Sequence, residues 1–404
     1  MKKMLFSAVA FAVVAVSAVA VAPTTSEAVP SFARQTGAAC LSCHFQAIPR
    51  LTTFGRNFSM SGMRDMGEQA LIEDDHLSLP AQFNGSFLMK VLIANQTDLA
   101  GAGQNLGLQM PDESAIFIGG RYGEHVGGLT EVSVNGGGAG VAQAKLNYVH
   151  DTDFGHVNLG LFTGDVGIGV LASDPSNAVR HTNRAAVKRA MALENTVVMA
   201  EAVSGIALSA FANDSIFVQG VIFASAGALT NPTWGSLNQT GTYLRGAYIA
   251  EVGGLEAVLG GWWASQKVAS ANGGAAPLGA TNNQYGVDLQ LQGDVGDVSV
   301  GFYLPYVIKG EQLNAGLTPV SDITGFQAML TVGFGHAGVK LGYDSMKTKN
   351  IIGGASVTAK RPYVGGWYSV AQNVELELAY TSTDSGVPGA AKVNNTTLVV
   401  EYVY

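Results

Sequence analysis

Apolar and polar residues alternate along much of this chain with a period of two, not with the period of 3.6 that helices show. Residues 285–292 carry Tyr, Val and Leu at odd positions and Gly, Asp and Gln at even positions, and residues 79–93 and 374–380 repeat the pattern. Segments of about ten residues with one apolar and one polar face are typical of transmembrane β-barrels. Lipid offers the backbone no hydrogen-bond partner, so only a helix or a closed sheet can span it. The alternative is a soluble β-sandwich, whose strands are usually shorter and whose polar face carries more Lys and Glu.

Tight stretches rich in Gly and Asp allow the strands to be counted. If each stretch is a short periplasmic turn, two strands and one longer outer loop lie between successive turns. Seven turns then join eight two-strand units, which predicts an all-β fold with a 16-stranded antiparallel barrel. The longest outer loop is expected at residues 167–193, with a short helix at 183–194. The seven predicted turns are residues 122–128, 151–155, 202–205, 252–254, 293–297, 333–338 and 370–373.

Composition favours a barrel over a bundle of membrane helices. Only 13% of the 404 residues are charged, against about a quarter in a typical soluble domain, and 52 residues are glycine. Beyond the N-terminus, the longest apolar run, residues 205–229, is interrupted by Asn213, Asp214 and Gln219. The net charge is −8, and we expect outer-membrane lipid and no nucleic acid as a partner.

The N-terminus carries the features of a secretory signal peptide. A basic start precedes an apolar stretch at residues 5–22 and a small-x-small cleavage site at residues 26–28, so residues 1–28 are expected to be removed and the mature chain to begin at Val29. The alternative is an uncleaved membrane anchor, for which the apolar stretch is near the lower length limit.

The C-terminus has the pattern of a barrel's last strand. Leu398, Val400, Tyr402 and Tyr404 share one face, and the final residue is aromatic. This resembles the C-terminal assembly signal of bacterial outer-membrane proteins, so both ends of the chain predict export to the bacterial outer membrane.

A Cys-x-x-Cys-His motif formed by Cys40, Cys43 and His44 lies between the leader and the first strand. In an exported bacterial protein this motif predicts covalent attachment of one c-type haem, with the two thiols bound to the vinyl groups and the histidine ligating the iron. One alternative is a thioredoxin-like redox pair, which needs a surrounding βαβ unit. The other is a zinc site, which needs more Cys or His ligands nearby.

Three domains are predicted: residues 1–28 (signal peptide), 29–77 (monohaem cytochrome c segment) and 78–404 (porin-like barrel). The haem segment is short, and a segment of this length rarely folds without a cross-link, a bound group or a partner to pack against. We therefore expect it to plug the barrel lumen from the periplasmic side, because sixteen strands enclose a wide channel; the alternative is a flexible appendage. Residues suited to packing there are Phe32, Phe45, Pro49, Leu51, Phe54 and Phe58.

The second axial ligand of the iron is open between methionine and histidine, with methionine slightly preferred. A methionine would raise the reduction potential and a histidine would lower it. The candidates are Met60, Met63, Met66 and His76, and the candidate partners of the haem propionates are Arg34, Arg50, Arg56 and Arg64.

The residues around the motif resemble a known family. The run of residues 30–37 leads into Cys-x-x-Cys-His, and Pro49, Leu51-Thr52 and Phe54-Gly55-Arg56 follow. Together they closely resemble the outer-membrane fused cytochrome–porins of iron-oxidising bacteria. The resemblance implies an iron(II):cytochrome c oxidoreductase that takes electrons from extracellular Fe(II) and passes them to periplasmic c-type cytochromes.

Two other functions remain open: a diffusion porin with a haem plug or sensor, and an outward conduit that reduces extracellular metal. None of the three requires a bond-making catalytic residue. Acidic residues of the lumen, such as Asp288, Glu375 and Glu377, could concentrate cations. An acidic periplasmic rim could attract basic carriers, although turn chemistry also explains it. The acidic residues of the predicted rim are Glu124, Asp151, Asp153, Asp294 and Asp297, and the same turns carry His125, His156 and His336.

Overall fold

The computed structural model describes residues 30–46, 50–67, 69–75, 78–97, 104–135, 138–164, 203–225, 240–267, 281–313, 319–350, 356–371 and 373–404. The predicted signal peptide, the predicted helix at 183–194, Pro49 and His76 lie outside these residues. Within them, no helix has both the length and the apolar character needed to cross a membrane.

Sixteen antiparallel strands form a closed barrel, as the alternating pattern predicts. Each strand pairs with its neighbours in the sequence, and the last strand pairs with the first, so no sheet edge is left open to lipid. The strands are β3 (Gly85–Thr97), β4 (Gln104–Arg121), β5 (Val126–Asn135), β6 (Gly138–Thr152), β7 (Gly155–Gly164), β8 (Val203–Ala212), β9 (Ile216–Ser225), β10 (Thr240–Val252), β11 (Leu255–Lys267), β12 (Thr281–Val295), β13 (Val298–Leu313), β14 (Pro319–Phe334), β15 (Ala337–Asn350), β16 (Ser356–Ala371), β17 (Val374–Thr383) and β18 (Val393–Val403).

Burial in the barrel is the reverse of that in a soluble protein. Large apolar side chains such as Leu208 and Leu259 are 57% and 62% exposed on the outer surface. Polar side chains such as Gln284 and Asp344 are fully buried. An outward apolar belt around a polar interior is what a lipid environment requires of a barrel.

Six of the seven predicted periplasmic turns lie where the sequence places them, and one is wrong. Residues 203–205 belong to β8, and the turn that follows this strand is formed by residues 213–215. Asn213 and Asp214 have φ angles of 49° and 53°, a left-handed conformation that Asn and Asp tolerate better than most residues. Two of the three polar residues that interrupt the long apolar run therefore form the turn, and the third, Gln219, lies in β9.

The first barrel strand begins at Gly85 and not at residue 79. Strand β2 (Ser78–Pro80) pairs instead with β1 (Leu71–Glu73) in a small hairpin outside the barrel sheet. Asn84, just before β3, donates a hydrogen bond of 2.9 Å to Gln35 Oε1 and accepts one of 3.1 Å from the Gly119 N–H of β4, so it bonds both to the N-terminal residues and to the barrel.

Three short helices precede the barrel: α1 (Pro30–Thr36), α2 (Cys40–Cys43) and α3 (Thr53–Met60). We call the described part of residues 30–67 the helical segment. Its residues contact β3, β7, β11, β13 and β16, which lie on all sides of the closed barrel. A segment that reaches every side of a barrel wall lies within its lumen, here at the end formed by the short turns.

Candidate functional site

Cys40 and Cys43 lie on one face of helix α2, because residues three apart in a helix are neighbours. Neither cysteine forms a disulfide within the described residues, and both are half-buried. Burial raises the pKa of the Cys43 thiol to about 11, whereas reactive redox thiols have lowered pKa values. The described residues around them form neither a βαβ unit nor a group of ligands that could hold a metal ion, so neither alternative to haem gains support.

His44 has the environment of a metal-ligating histidine. Its Nδ1 lies 3.2 Å from the carbonyl oxygen of Arg50, and its backbone N–H donates to the Cys40 carbonyl at 2.8 Å. Metal-ligating histidines usually donate one ring N–H to a carbonyl or carboxylate, which leaves the other nitrogen free to bind. The contact of Nδ1 with the Arg50 carbonyl matches this arrangement, so His44 fits the role of a haem ligand.

Helix α3 packs directly against the motif. The Thr52 hydroxyl caps α3 by accepting from the Gly55 N–H at 3.2 Å, and the Thr52 N–H donates to the Cys43 carbonyl at 3.0 Å. A Cβ atom on Gly55 would lie 2.1 Å from the Cys43 carbonyl oxygen, so only glycine allows this approach. The Gly of the Phe54-Gly55-Arg56 run therefore holds α3 close to the cysteine pair.

Arg56 attaches α3 to the barrel wall. Its fully buried guanidinium lies 2.5 Å from a carboxylate oxygen of Glu256 at the start of β11. Thr53 also donates to Glu256, and Gln292 on β12 donates to the same carboxylate at 2.8 Å and to the Leu51 carbonyl at 2.7 Å. The sequence does not reveal Glu256 or Gln292 as site residues, because their partners lie about two hundred positions earlier in the chain.

The other end of the helical segment is attached to strands β4 to β7. Arg64 pairs with Asp151 on β6 at 2.5 Å, and Gln35 Oε1 accepts from the Arg121 N–H on β4 at 3.2 Å. Asp151 also lies 2.8 Å from Nδ1 of His156. Asp151 is therefore a partner of the segment as well as a member of the predicted acidic rim.

The structure places the candidate axial methionines in different surroundings. Met60 is fully buried in an apolar cluster with Phe211, Phe217, Ile249 and other residues of β8 to β11. Met63 is also buried and has a left-handed φ of 64°, whereas Met66 is half-buried.

A cavity of about 720 Å³ opens beside the motif at the end with the short turns. Ser42, Phe45 and Phe54 line it from the helical segment, and the facing wall comes from the ends of β8 to β12. Known ligand pockets have volumes of about 300–1,000 Å³. Asp214, Glu251 and Asp294 line its wall and are exposed, so the mouth beside the motif is acidic.

Two of the three acidic residues expected to concentrate cations in the lumen are paired with cations. Asp288 lies 2.8 Å from Arg245, and Glu377 pairs with Lys340. The third, Glu375, lies directly opposite Glu401 in the pairing of β17 with β18.

No protein-family model matches the chain, and no curated protein matches its sequence. Several solved structures match its fold. OprB of Pseudomonas putida has a TM-score of 0.55 at 10% identity, covering 80% of this chain and 94% of that one. OmpT of Vibrio cholerae has 0.53 at 13%, covering 83% and 100%, and an anion-selective porin from Comamonas acidovorans has 0.50 at 15%, covering 80% and 99%.

Identities this low establish the fold alone. The closed sixteen-stranded sheet and its outward apolar belt agree with that likeness. The chain is therefore a porin-like β-barrel, and its predicted location in the bacterial outer membrane is confirmed.

Proposed function

We propose that this protein is an outer-membrane electron conduit with iron(II):cytochrome c oxidoreductase activity. It takes electrons from extracellular Fe(II) and passes them, through one covalent haem c on the helical segment, to periplasmic c-type cytochromes. The observation that carries the proposal is a Cys-x-x-Cys-His motif inside the barrel, with its imidazole Nδ1 bonded to a backbone carbonyl.

The residues have distinct roles in this proposal. Cys40 and Cys43 would hold the haem through thioethers, and His44 would bind its iron through a ring nitrogen. A c-type haem bound there supplies reversible one-electron chemistry, so each Fe(II) needs one site. The Arg50 carbonyl orients the His44 ring, and the packing of Gly55 against Cys43 fixes the motif relative to α3.

The barrel separates the iron from its product. Ferric iron precipitates near neutral pH, so oxidation at the outer surface keeps the solid out of the periplasm. The helical segment lies at the end with the short turns, which is the periplasmic end of such barrels, and acts as a plug there. Electrons then reach the side where soluble carriers are found, while iron stays outside.

The test is the absorption spectrum of the purified protein in detergent before and after Fe(II) is added. We expect covalent haem in the wild-type protein and rapid conversion to the reduced spectrum. His44→Ala should keep the haem through the two cysteines but change its spectrum and lose the response. His336→Ala, in an exposed turn, is the matched control and should behave as wild type. A wild-type protein without haem, or with haem that does not respond to Fe(II), contradicts the proposal.

A diffusion porin is the second candidate, and the fold comparison favours it. The structures that match include channels, one of them described as an anion-selective porin. Conductance in a planar bilayer separates the two functions, because a porin gives large, steady open-channel currents and a plugged conduit does not. An outward conduit uses the same residues with the current reversed, and measuring reduction of extracellular ferric iron tests it.

A further inference from the structure

The four arginines of the helical segment differ in what their side chains bind. Arg34 is exposed and donates to the Gly85 carbonyl. Arg56 and Arg64 pair with Glu256 and Asp151. Arg50 differs from all three because it is buried, yet among the described residues no carboxylate forms an ion pair with it.

Arg50 has only 5% of its surface exposed. Its Nη1 donates to Gln46 Oε1 and to Thr331 Oγ1, both at 3.2 Å. The guanidinium lies over the rings of Tyr303 and Trp367, with its carbon 5.6 and 5.7 Å from the two ring centres. Its Nε is buried and has no hydrogen-bond partner among the described atoms.

A buried guanidinium without an anion is costly. The penalty for removing such an ion from water is several kcal/mol, and it is offset only by good pairing and complete hydrogen bonding. Contacts with two aromatic rings offset only part of this penalty, and they leave the donor at Nε without a partner. The arrangement is therefore that of a cation held in place for an anionic partner.

The position of Arg50 indicates which anion this is. Its own carbonyl is the group that lies against His44 Nδ1, so the guanidinium belongs to the residue that orients the iron ligand. A haem c carries two propionate carboxylates, and arginine binds carboxylates through paired hydrogen bonds.

We infer that Arg50, held by Gln46 and Thr331 against Tyr303 and Trp367, is the binding site for a propionate carboxylate of the haem. The inference rests on the proposed function, because it requires haem at the motif. It assigns the barrel wall a direct part in holding the haem, through Thr331 on β14, Tyr303 on β13 and Trp367 on β16.

Other charged groups act on the same place. Glu375 on β17 and Lys340 on β15 interact electrostatically with Arg50, and neither is bonded to it. Glu375 is the rival anion, so the experiment has to separate it from a propionate.

The test is a redox titration of the haem in Arg50→Gln, with Arg34→Gln as the matched control and Arg50→Lys as the charge-retaining variant. Removing a buried cation beside the haem favours the ferric state. We expect about a tenfold rise in the ferric-to-ferrous ratio at fixed ambient potential, equal to about 59 mV for a one-electron couple. Arg50→Lys should restore most of the shift, and Arg34→Gln should cause none.

Glu375→Gln and the double variant Arg50→Gln/Glu375→Gln identify the anion. If a propionate is the partner, the Arg50 shift persists in the Glu375→Gln background and the resonance Raman band of propionate bending moves in Arg50→Gln. An Arg50 shift that vanishes in that background, or a potential that Arg50→Gln leaves unchanged, overturns the inference. Should Arg50→Gln lose its haem, the propionate Raman band of Arg50→Lys and Thr331→Val decides it, because lysine keeps the charge but cannot form the paired hydrogen bonds of arginine. An unchanged band in both variants overturns the inference.

Wild-type protein without covalent haem would instead refute the proposed function. The haem content of the wild type is therefore measured first, and the two failures remain distinguishable.

Discussion

In the barrel wall, every strand bonds to two neighbours along its length, whereas the helical segment is attached to that wall by separate side-chain contacts. The wall repeats one interaction, the backbone ladder, and its outer face needs only apolar residues. The segment depends on single contacts such as Arg56 with Glu256. A substitution in the segment should therefore release it while the barrel stays folded, and damage to the wall should remove both.

The largest effect should come from the end of the wall. Tyr404 exchanges two backbone hydrogen bonds of 2.7 and 2.6 Å with Phe87, and Tyr402 and Val403 pair with Met89 and Leu88. Deleting residues 402–404 leaves part of β3 unpaired in lipid. We expect loss of the heat-modifiable barrel from the outer membrane, with Tyr404→Phe assembling normally. Normal yield of the truncated barrel would contradict closure by these residues.

Gly55→Ala should separate α3 from the motif and leave the barrel folded. The alkylation rate of the Cys43 thiol measures this packing in protein that is made without haem and carries Cys40→Ala, so that Cys43 is the reacting thiol. Burial raises the pKa of Cys43 from 9.0 to about 11, so its thiolate at pH 8 is about a hundredfold scarcer than that of an unperturbed thiol. Gly55→Ala should recover most of the lost alkylation rate.

Gly246→Ala is the matched control, because the nearest atom to its added Cβ is 4.0 Å away. Equal alkylation rates in wild type and Gly55→Ala would show that Gly55 does not determine the packing of the motif.

Arg56→Met should weaken the attachment of the segment by about 3–5 kcal/mol, the usual effect of removing one partner of a buried ion pair. Adding Glu256→Gln should recover part of the loss, since no unpaired charge then remains. Protease cleavage of the segment in increasing urea measures both.

The exposed pair of Lys392 with Asp384, 3.5 Å apart, is the control, and Lys392→Met should leave the attachment of the segment unchanged. If Arg56→Met and Lys392→Met have equal effects, the buried pair is not an anchor.

The smallest effect concerns the acidic mouth. Asp151 already pairs with Arg64, so the exposed Asp214, Glu251, Asp294 and Asp297 are the better set to neutralise. Electron hand-off to a basic cytochrome should slow several-fold at low salt and converge with wild type as salt is added. Asp384→Asn, in an outer loop, is the control. If the stopped-flow rates change neither with the substitutions nor with salt, these acidic residues do not take part in docking and serve only to form the turns.

The same difference between wall and segment explains how much the sequence reveals. Strand periodicity, the strand number and six turns follow from local rules, because each strand pairs with its neighbour in the chain. The expected turn at residues 202–205 is wrong, and the turn lies at residues 213–215. A polar pair such as Asn213–Asp214 within an apolar run can be either a turn or an interruption of one long apolar segment, and the local pattern does not distinguish them. Partners such as Glu256, Thr331 and Trp367 are distant in sequence from the residues they hold, and no spacing rule identifies them.

The central claim is that electrons cross the membrane through this protein. Vesicles containing trapped cytochrome c, with the protein in their membrane and Fe(II) added outside, test it most directly. We expect wild-type protein to reduce the trapped cytochrome, His44→Ala to abolish this reduction, and His336→Ala to preserve its rate. Reduction at equal rates with His44→Ala, or none with haem-loaded wild type, would contradict it.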